Sequence, residues 1–199
     1  MSRVLPILFN TEMVRAILDG RKSCTRRLVQ LFSGENPRWT GYIKDGLMLY
    51  NGKNEPCIRK APYQPGDILY VRETFIQAAA HIFWYKANDK PWMSKGLRWK
   101  PSIHMPKEAA RIWLKVTDVR VERLQEITEE GAKKEGAIDN RGFIHSPDDE
   151  YDSLHTAGEH FAKIWDSTIK KSDLDRYGWN ANPWVWVIGF ERCEKPEGV

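Results

Sequence analysis

Cysteine is scarce in this sequence, and long apolar runs are missing. Three cysteines, Cys24, Cys57 and Cys193, occur in 199 residues. Because the count is odd and the spacings are wide, a disulfide framework is excluded and a structural zinc site is disfavoured. No stretch approaches the roughly 20 apolar residues that a membrane helix needs, and residues 1–6 lack the apolar core of a signal peptide. We therefore predict a cytoplasmic protein with free thiols and no membrane partner.

Histidine content and net charge are also low. The five histidines show no paired ligand spacing, so the sequence predicts neither a metal site nor a cofactor. The formal net charge is only +4, which identifies no partner unless the positive charge is concentrated locally. Hydrophobic residues make up 41% of the chain, which is typical of folded rather than disordered proteins. We predict one domain over residues 1–199.

Tryptophan, in contrast, is abundant. Nine tryptophans are present, and Trp84, Trp92 and Trp99 fall in a segment where five lysines and arginines are interleaved with them. Flat rings among cations are typical of surfaces that stack on bases and contact phosphates. An insertion that packs its own small aromatic cluster has the same composition. Both interpretations stay open on the sequence alone.

The hydrophobic pattern predicts an α+β fold. Residues 4–9 form a predicted strand, Asn10-Thr11 supply N-cap chemistry for a helix that ends at Asp19, and Gly20 suits the C-cap. A strand over 25–31 then places Gly20 to Thr25 at a helix-to-strand junction. Further predicted elements are strands at 68–75, 110–124 and 184–191, a helix at 128–135, and a helix with an apolar face over 161–169. Because strands and helices do not alternate regularly, a small barrel with inserted helices is favoured over a doubly wound sheet.

The predicted strand at 110–124 changes phase along its length. Apolar residues occupy even positions as far as Val116 and odd positions from Val119 onward. One extra residue near Thr117-Asp118 accounts for the change and indicates a β-bulge. Bulges bend long strands around small barrels, so the pattern fits the predicted barrel.

Three polar segments interrupt the predicted elements, at about 33–62, 77–105 and 139–156. In the first, only residues 41–50 offer a hairpin, around Asp45-Gly46. The second is predicted to be irregular. We interpret all three as insertions within the single domain.

The densest group of reactive side chains follows the first helix. Four cations surround two hydroxyls and a thiol within seven residues, namely Arg21, Lys22, Ser23, Cys24, Thr25, Arg26 and Arg27. Such a cluster favours an anionic or electron-rich ligand. Cations at a helix end also complement the helix dipole, and this alternative needs no ligand. Cys24 has no histidine near it in sequence, so a buried thiol is favoured over a nucleophile.

The order of residues in this segment resembles the opening motif of the ASCH family. The matching residues are Ile17-Leu18-x-Gly20-Arg21-Lys22-Ser23-x-Thr25-x-Arg27. Further matches are Pro65-Gly66-Asp67, the long bulged strand, Leu124-x-x-Ile127-Thr128-Glu129-Glu130-x-Ala132-x-x-Glu135-Gly136, and Trp184 to Phe190. The resemblance covers a little over half of the chain and is greatest to the longer, phage- or prophage-type members. It implies a small PUA-like β-barrel with an RNA- or nucleobase-binding cleft beside the first helix.

Some compact bacterial members of that family are amidohydrolases that remove the acetyl group from the exocyclic amine of acetylcytidine. The resemblance, which is distant for these enzymes, implies Lys22, Thr25 and Glu135 as the catalytic residues. Amide hydrolysis needs a nucleophile, a base that deprotonates it and an acid for the leaving amine, and these three residue types can supply them. Residues 22 and 25 would face opposite sides of a regular strand, so we predict Lys22 in the turn that Gly20 makes possible.

Five further residues complete the predicted site. Arg21, Ser23 and Arg26 are predicted to bind the substrate. Arg72 and Glu73 end a predicted core strand, where they form either a second part of the site or a buried Arg–Glu pair. The predicted partner is RNA, a nucleotide or a modified nucleoside. Two other functions stay open, a non-catalytic RNA-binding module and a nuclease for single-stranded RNA.

Overall fold

The computed structural model describes residues 2–30, 42–44, 48–50, 61–89, 96–141 and 155–198. The strands are β1 Val4–Leu8, β2 Cys24–Leu28, β3 Tyr42–Lys44, β4 Met48–Tyr50, β5 Ile68–Arg72, β6 Phe75–Ala79, β7 Ile82–Tyr85, β8 Trp113–Arg123 and β9 Trp184–Cys193. The α-helices are α1 Thr11–Leu18, α2 Glu129–Lys134, α3 Ala157–Thr168 and α4 Leu174–Tyr177. This content confirms the predicted α+β class.

Five of the strands form a mixed sheet in the order β1-β5-β8-β9-β2. β1 runs parallel to β5, with Val4 level with Ile68, and β5 runs antiparallel to β8, with Leu69 opposite Leu114. β9 therefore lies inside the sheet, which explains why residues 185–188 are buried in an unbroken run. β2 is the last strand in this order, and its neighbour among the described strands is β9.

The residues that begin and end α1 are those that the sequence predicts. The Asn10 side chain accepts a hydrogen bond from the Met13 N–H at 2.8 Å, which satisfies a donor that the helix itself leaves open. Gly20 adopts φ +75°, a left-handed conformation that suits a residue without a Cβ atom. The predicted N-cap and left-handed C-terminal turn are both confirmed.

The phase change in the long strand is also present. Val116 is buried, Thr117 and Asp118 are both exposed, and Val119 is buried again. Buried positions therefore move from even to odd numbers where the sequence predicts it. Because of this phase change, one strand has buried side chains both before and after Thr117-Asp118.

The chain forms two compact units, each made of separate segments. The first unit comprises Met1–Ser23, Tyr63–Thr117 and Gly189–Val199, and the second comprises Cys24–Pro62 and Asp118–Ile188. In the first unit, Phe75, Met105 and Ala109 form a buried cluster under the hairpin of β6 and β7. In the second unit, the core packs α2 and α3 against residues of β9 through Leu124, Ala132, Ala137, Ala157, Phe161, Trp165, Val185 and Val187. The single-domain organisation stays a prediction.

The predicted insertions have different outcomes. β3 pairs antiparallel with β4, Tyr42 opposite Tyr50, which confirms the hairpin predicted over 41–50. The segment 77–105 was expected to be irregular, but it contains most of a hairpin in which Ile76 lies opposite Trp84. The prediction was wrong there because the alternation in residues 82–85 is short, and only pairing with β6 makes it a strand. Most of 33–62, with Cys57, and residues 142–154 lie outside the described part of the chain.

The longest of the described helices, α3, has 12 residues. In the part of the chain that the structure describes, no helix is long and apolar enough to cross a membrane.

Candidate functional site: buried polar residues at a helix-to-strand junction

The turn between α1 and β2 is built by backbone hydrogen bonds. The Gly20 N–H donates to the Ile17 carbonyl at 3.1 Å, and the Lys22 N–H donates to the Ala16 carbonyl at 2.9 Å. The chain thus folds back over the end of the helix before β2 begins at Cys24. Lys22 lies in this turn, as the sequence predicts.

The Lys22 side chain belongs to the first unit and is buried there. Its Nζ atom is 5.5 Å from the centroid of the Phe9 ring. The Phe9 ring lies 6.1 Å from that of Phe190, whose N–H donates to the Ser23 carbonyl at 2.8 Å. The amine is therefore held against aromatic side chains and is largely shielded from water.

Thr25 and Arg26 lie on β2 in the second unit, and both side chains are buried. Neighbouring residues of a strand project from opposite faces, so Thr25 leaves β2 on the face opposite Arg26. Because β2 is the last of the described strands in the sheet, a ligand along its edge can reach both faces. The two side chains can therefore contact one ligand only at that edge.

The Arg26 guanidinium contacts two carboxylates, and we call Arg26, Glu122 and Glu135 the Arg26 cluster. Arg26 Nη1 lies 3.2 Å from Glu135 Oε1, and Nη2 lies 3.1 Å from Glu122 Oε2. The face of the guanidinium is 5.8 Å from the Phe161 ring centroid. Glu135 is positioned because it is the C-cap of α2, whose N-cap Thr128 accepts from the Gly131 N–H at 3.0 Å. The structure thus brings predicted residues Arg26 and Glu135 together.

Two buried arginine N–H groups have no hydrogen-bond partner among the residues that the structure describes. These groups are Nε of Arg26 and Nε of Arg72. Unsatisfied buried donors are rare in folded proteins, because each costs about 1–3 kcal/mol. Both belong to residues that the sequence predicts to bind ligand, and an acceptor on a ligand would satisfy them.

Most of the buried polar side chains belong to residues that the sequence predicts as part of the site. Six polar or charged residues of the described chain are buried, namely Lys22, Thr25, Arg26, Asp67, Glu73 and Glu135. Five of them are predicted site residues, and the sixth, Asp67, belongs to the matching Pro65-Gly66-Asp67 turn. Buried polar side chains are costly, so a chain that keeps several at one motif indicates a structural or chemical requirement there.

The other residues of the basic segment are placed differently. Arg21 is exposed, and its Nη2 lies 3.1 Å from Asp19 Oδ2. Arg27 donates to the Arg26 carbonyl at 3.3 Å. Cys24 is buried, in line with the interpretation favoured from the sequence. Burial also raises the pKa of the Cys193 thiol.

Arg72 and Glu73 do not pair with each other. Glu73 is bound by Arg111, with Nε at 2.8 Å from Oε1 and Nη2 at 2.9 Å from Oε2, and we call these two residues the Arg111 pair. Arg72 instead donates to the Ile103 carbonyl. The Arg72–Glu73 pair that was one of the two predicted alternatives is therefore not formed, and Glu73 pairs instead with an arginine that the sequence did not single out.

Arg111 of this pair also contacts an aromatic ring. The Arg111 guanidinium lies 4.0 Å from the centroid of the Tyr85 ring, and the Tyr85 hydroxyl donates to the Ala109 carbonyl at 2.7 Å. Burial raises the pKa of this hydroxyl. Arg111 and Glu122 are the residues that sequence reasoning missed, and no local pattern marks either of them.

Fold and geometry together define an α+β protein whose second unit holds a buried, charged cluster on β2 and at the end of α2. In the described ranges, no group of three or more histidine, cysteine or acidic side chains is arranged to hold a metal ion. Comparisons of the chain with protein-family models, with curated proteins and with solved structures find no match in any of the three.

Proposed function

We propose that this chain is an ASCH-type, PUA-like barrel protein that binds RNA, a nucleotide or a modified nucleobase and hydrolyses the acetyl amide of acetylcytidine. One observation carries the proposal. The three residues that the motif resemblance assigns to catalysis, Lys22, Thr25 and Glu135, are each at most 4% exposed. Lysine and glutamate side chains are rarely buried to this extent unless they have a partner or a chemical role.

The proposed reaction has two halves. In the first, the Lys22 amine takes the Thr25 hydroxyl proton while the threonine oxygen attacks the acetyl carbonyl, and the protonated amine then gives this proton to the exocyclic nitrogen as its bond to the carbonyl carbon breaks. This half gives cytidine and an acetyl ester on Thr25. In the second half, water deprotonated by the Glu135 carboxylate hydrolyses the ester to acetic acid, and Glu135 returns the proton to the threonine oxygen.

Arg26 supports this reaction as a positioning residue. Its guanidinium is 3.2 Å from Glu135 and fixes the carboxylate on the β2 side of α2. Its buried Nε–H has no acceptor among the described residues, so it is available to a carbonyl oxygen of a base. The arrangement resembles nucleobase recognition in which a few polar groups act in a water-poor site.

The test is direct incubation of the purified protein with acetylcytidine, followed by chromatography of the nucleosides. We expect cytidine to form with the unchanged protein, and Thr25→Val and Glu135→Gln to lower the rate at least a hundredfold. Thr117→Val makes the same chemical change at an exposed strand position and should keep full activity. Acetylcytidine that stays intact over long incubation would refute the proposed hydrolysis.

The same samples separate the other functions. Saturable, salt-sensitive binding of RNA without any product, weakened by Arg21→Ala, would leave a non-catalytic binding module. Cleavage of single-stranded RNA in the presence of Mg²⁺ or Mn²⁺ would instead identify a nuclease.

A further inference from the structure

The hairpin of β6 and β7 has two apolar faces, although a hairpin on a core normally has one. Phe75, Phe83 and Tyr85 pack toward the cluster with Met105 and Ala109. The opposite face carries Ile76 and Trp84, which lie across from each other, and Ile82, two residues before Trp84. We call this second surface the Trp84 face.

A third chain segment widens the Trp84 face. Phe75 and Lys100 exchange two backbone hydrogen bonds, of 3.1 and 2.8 Å, so this segment lies antiparallel beside β6. One step along that register brings Trp99 next to Ile76, on the same face as Trp84. Two tryptophans therefore flank one isoleucine across three adjacent segments.

The side chains around Ile76 are open to solvent on this face, whereas Ile76 itself is buried beneath them. Ile82 is 53% exposed and Trp84 is 39% exposed, while Leu97, two residues before Trp99, is 43% exposed. Grouped exposed apolar side chains of this size mark contact surfaces rather than ordinary surface residues. The other face of the hairpin is already occupied by core residues, so the Trp84 face has no role in that core.

The charges around the face select the partner. Residues 73–89 and 96–111 contain Lys86, Arg98, Lys100, Lys107 and Arg111 against Glu73, Asp89 and Glu108, that is five minus three, or +2. The whole chain carries only +4. A second copy of the chain would bring the same positive charge to the contact and be repelled, whereas a phosphate backbone would be attracted.

Individual cations are placed to meet such a backbone. The Lys86 N–H donates to the Thr74 carbonyl at 3.0 Å, which continues the hairpin register and places Lys86 on the side of Trp84. Arg98 is exposed and precedes Trp99 on the outer segment, whereas the Lys100 ammonium lies 6.0 Å from the centroid of the Phe75 ring, on the core side of the hairpin. Rings in the middle with cations around them match how single strands are bound, with bases stacked and phosphates paired.

We propose that the Trp84 face binds single-stranded RNA by stacking bases on Trp84 and Trp99, with Lys86 and Arg98 contacting the phosphates. This surface is distinct from the residues assigned to deacetylation, so it does not depend on the proposed reaction. It would give the protein affinity for a strand of RNA in addition to a single modified base.

The test is fluorescence anisotropy with a labelled oligouridylate of about 12 nucleotides, within the site sizes of single-strand binders. The probe contains no acetyl group, so failure of the deacetylation proposal does not affect the outcome. Trp84→Leu keeps an apolar side chain but removes the ring, and we expect the Kd to rise at least tenfold. Ile138→Ala alters an equally exposed apolar residue of the second unit and should leave the Kd unchanged.

A second variant pair tests the phosphate contacts. Lys86→Ala should weaken binding and lower the slope of log Kd against log salt by about one, while Lys163→Ala, an exposed lysine on α3, should not. The proposal would be overturned if the Trp84→Leu and Lys86→Ala variants both bound the oligonucleotide with the same Kd as the unchanged protein. Loss of binding only in Arg26→Lys would assign RNA to the Arg26 cluster instead. Dimerisation through Trp84, detected by sedimentation, would also overturn it.

Discussion

The Arg111 pair of the first unit and the Arg26 cluster of the second are both buried ion pairs, but they are bonded differently. Arg111 places two nitrogens on the two oxygens of one carboxylate, at 2.8 and 2.9 Å. Arg26 divides its nitrogens between two glutamates, at 3.1 and 3.2 Å, and leaves a buried Nε–H without a partner among the described residues. One arrangement is complete by itself, whereas the other has a donor that an added ligand can use.

This difference separates a structural charge from a functional one. In a bidentate pair, two hydrogen bonds join one guanidinium to one carboxylate, and they offset the desolvation cost of both charges. The pair also fixes the two chain segments that carry these side chains. A guanidinium with an unused buried donor carries a cost that the fold does not remove. We infer that the Arg111 pair serves the fold of its unit and that the Arg26 cluster serves a ligand.

The largest expected effect comes from breaking the Arg111 pair. Arg111→Met leaves Glu73, only 1% exposed, without its counter-charge, and removing one partner of a buried pair costs about 3–5 kcal/mol. For a chain of this size the melting temperature should fall by roughly 6–20 °C. Differential scanning calorimetry measures the shift. A fall of under about 2 °C would show that water or another cation already balances Glu73.

A smaller effect is expected for ligand binding when Arg26 becomes lysine. Arg26→Lys keeps the charge beside Glu135 but removes the Nε–H and one of the two carboxylate contacts. We expect about tenfold weaker binding of acetylcytidine, equivalent to about 1.4 kcal/mol. Isothermal titration calorimetry gives the affinity directly. Arg111→Lys should leave that affinity unchanged, and an equal loss in both variants would contradict the comparison.

A third pair, Arg3 with Asp67, is half open to water and predicts a pH effect. Burial raises the pKa of Asp67, but the hydrogen bonds from Arg3 and from the Gln64 N–H outweigh it, so the pKa is lowered from 3.8. A carboxylate with a lowered pKa stabilises the fold above its ordinary pKa, and this contribution is lost as pH falls through the lowered value. Urea unfolding of the protein and of Asp67→Asn should therefore differ at pH 5 and converge below pH 4. A difference that stays constant down to pH 3 would disprove the assignment.

The smallest stability effect is expected for a bidentate pair at the surface. Arg141 binds Asp139 through Nε at 3.1 Å and Nη2 at 2.8 Å, and these bonds lower the pKa of Asp139 to about 2. Arg141→Met should return the pKa of Asp139 toward 3.8, which carboxyl NMR can follow. The melting temperature should barely move, because water already solvates both groups. A fall as large as that of Arg111→Met would mean that burial is not what separates the two pairs.

Local features of the fold could be predicted well from the sequence. The cap at Asn10, the left-handed Gly20 and the exposed Thr117-Asp118 step each follow from nearest neighbours in the chain, since turn chemistry and side-chain alternation are local. The β6–β7 hairpin was missed because its strands are short and become regular only when they pair. The motif resemblance indicated Lys22, Thr25 and Glu135, and all three are buried, whereas the predicted binding residue Arg21 is exposed.

The partners of the charges could not be predicted. Arg26 and Glu135 are 109 residues apart in sequence, and Glu73 and Arg111 are 38 apart. Nothing in the local pattern links such residues, because their contact depends on which helix end and which strand are packed together. Arg72 beside Glu73 was the obvious pair in sequence, but β5 ends at Arg72, and the two side chains have different partners, the Ile103 carbonyl and Arg111.

By itself the sequence determined a helix that ends in a glycine turn and delivers Lys22, Thr25 and Arg26 to the start of a strand. Short-range sterics and hydrogen bonding suffice for that. Only the tertiary structure decided that Arg111 binds both oxygens of one carboxylate, whereas Arg26 binds one oxygen of each of two carboxylates. That choice depends on side chains brought together from distant segments, where desolvation makes every pairing costly unless its geometry is complete.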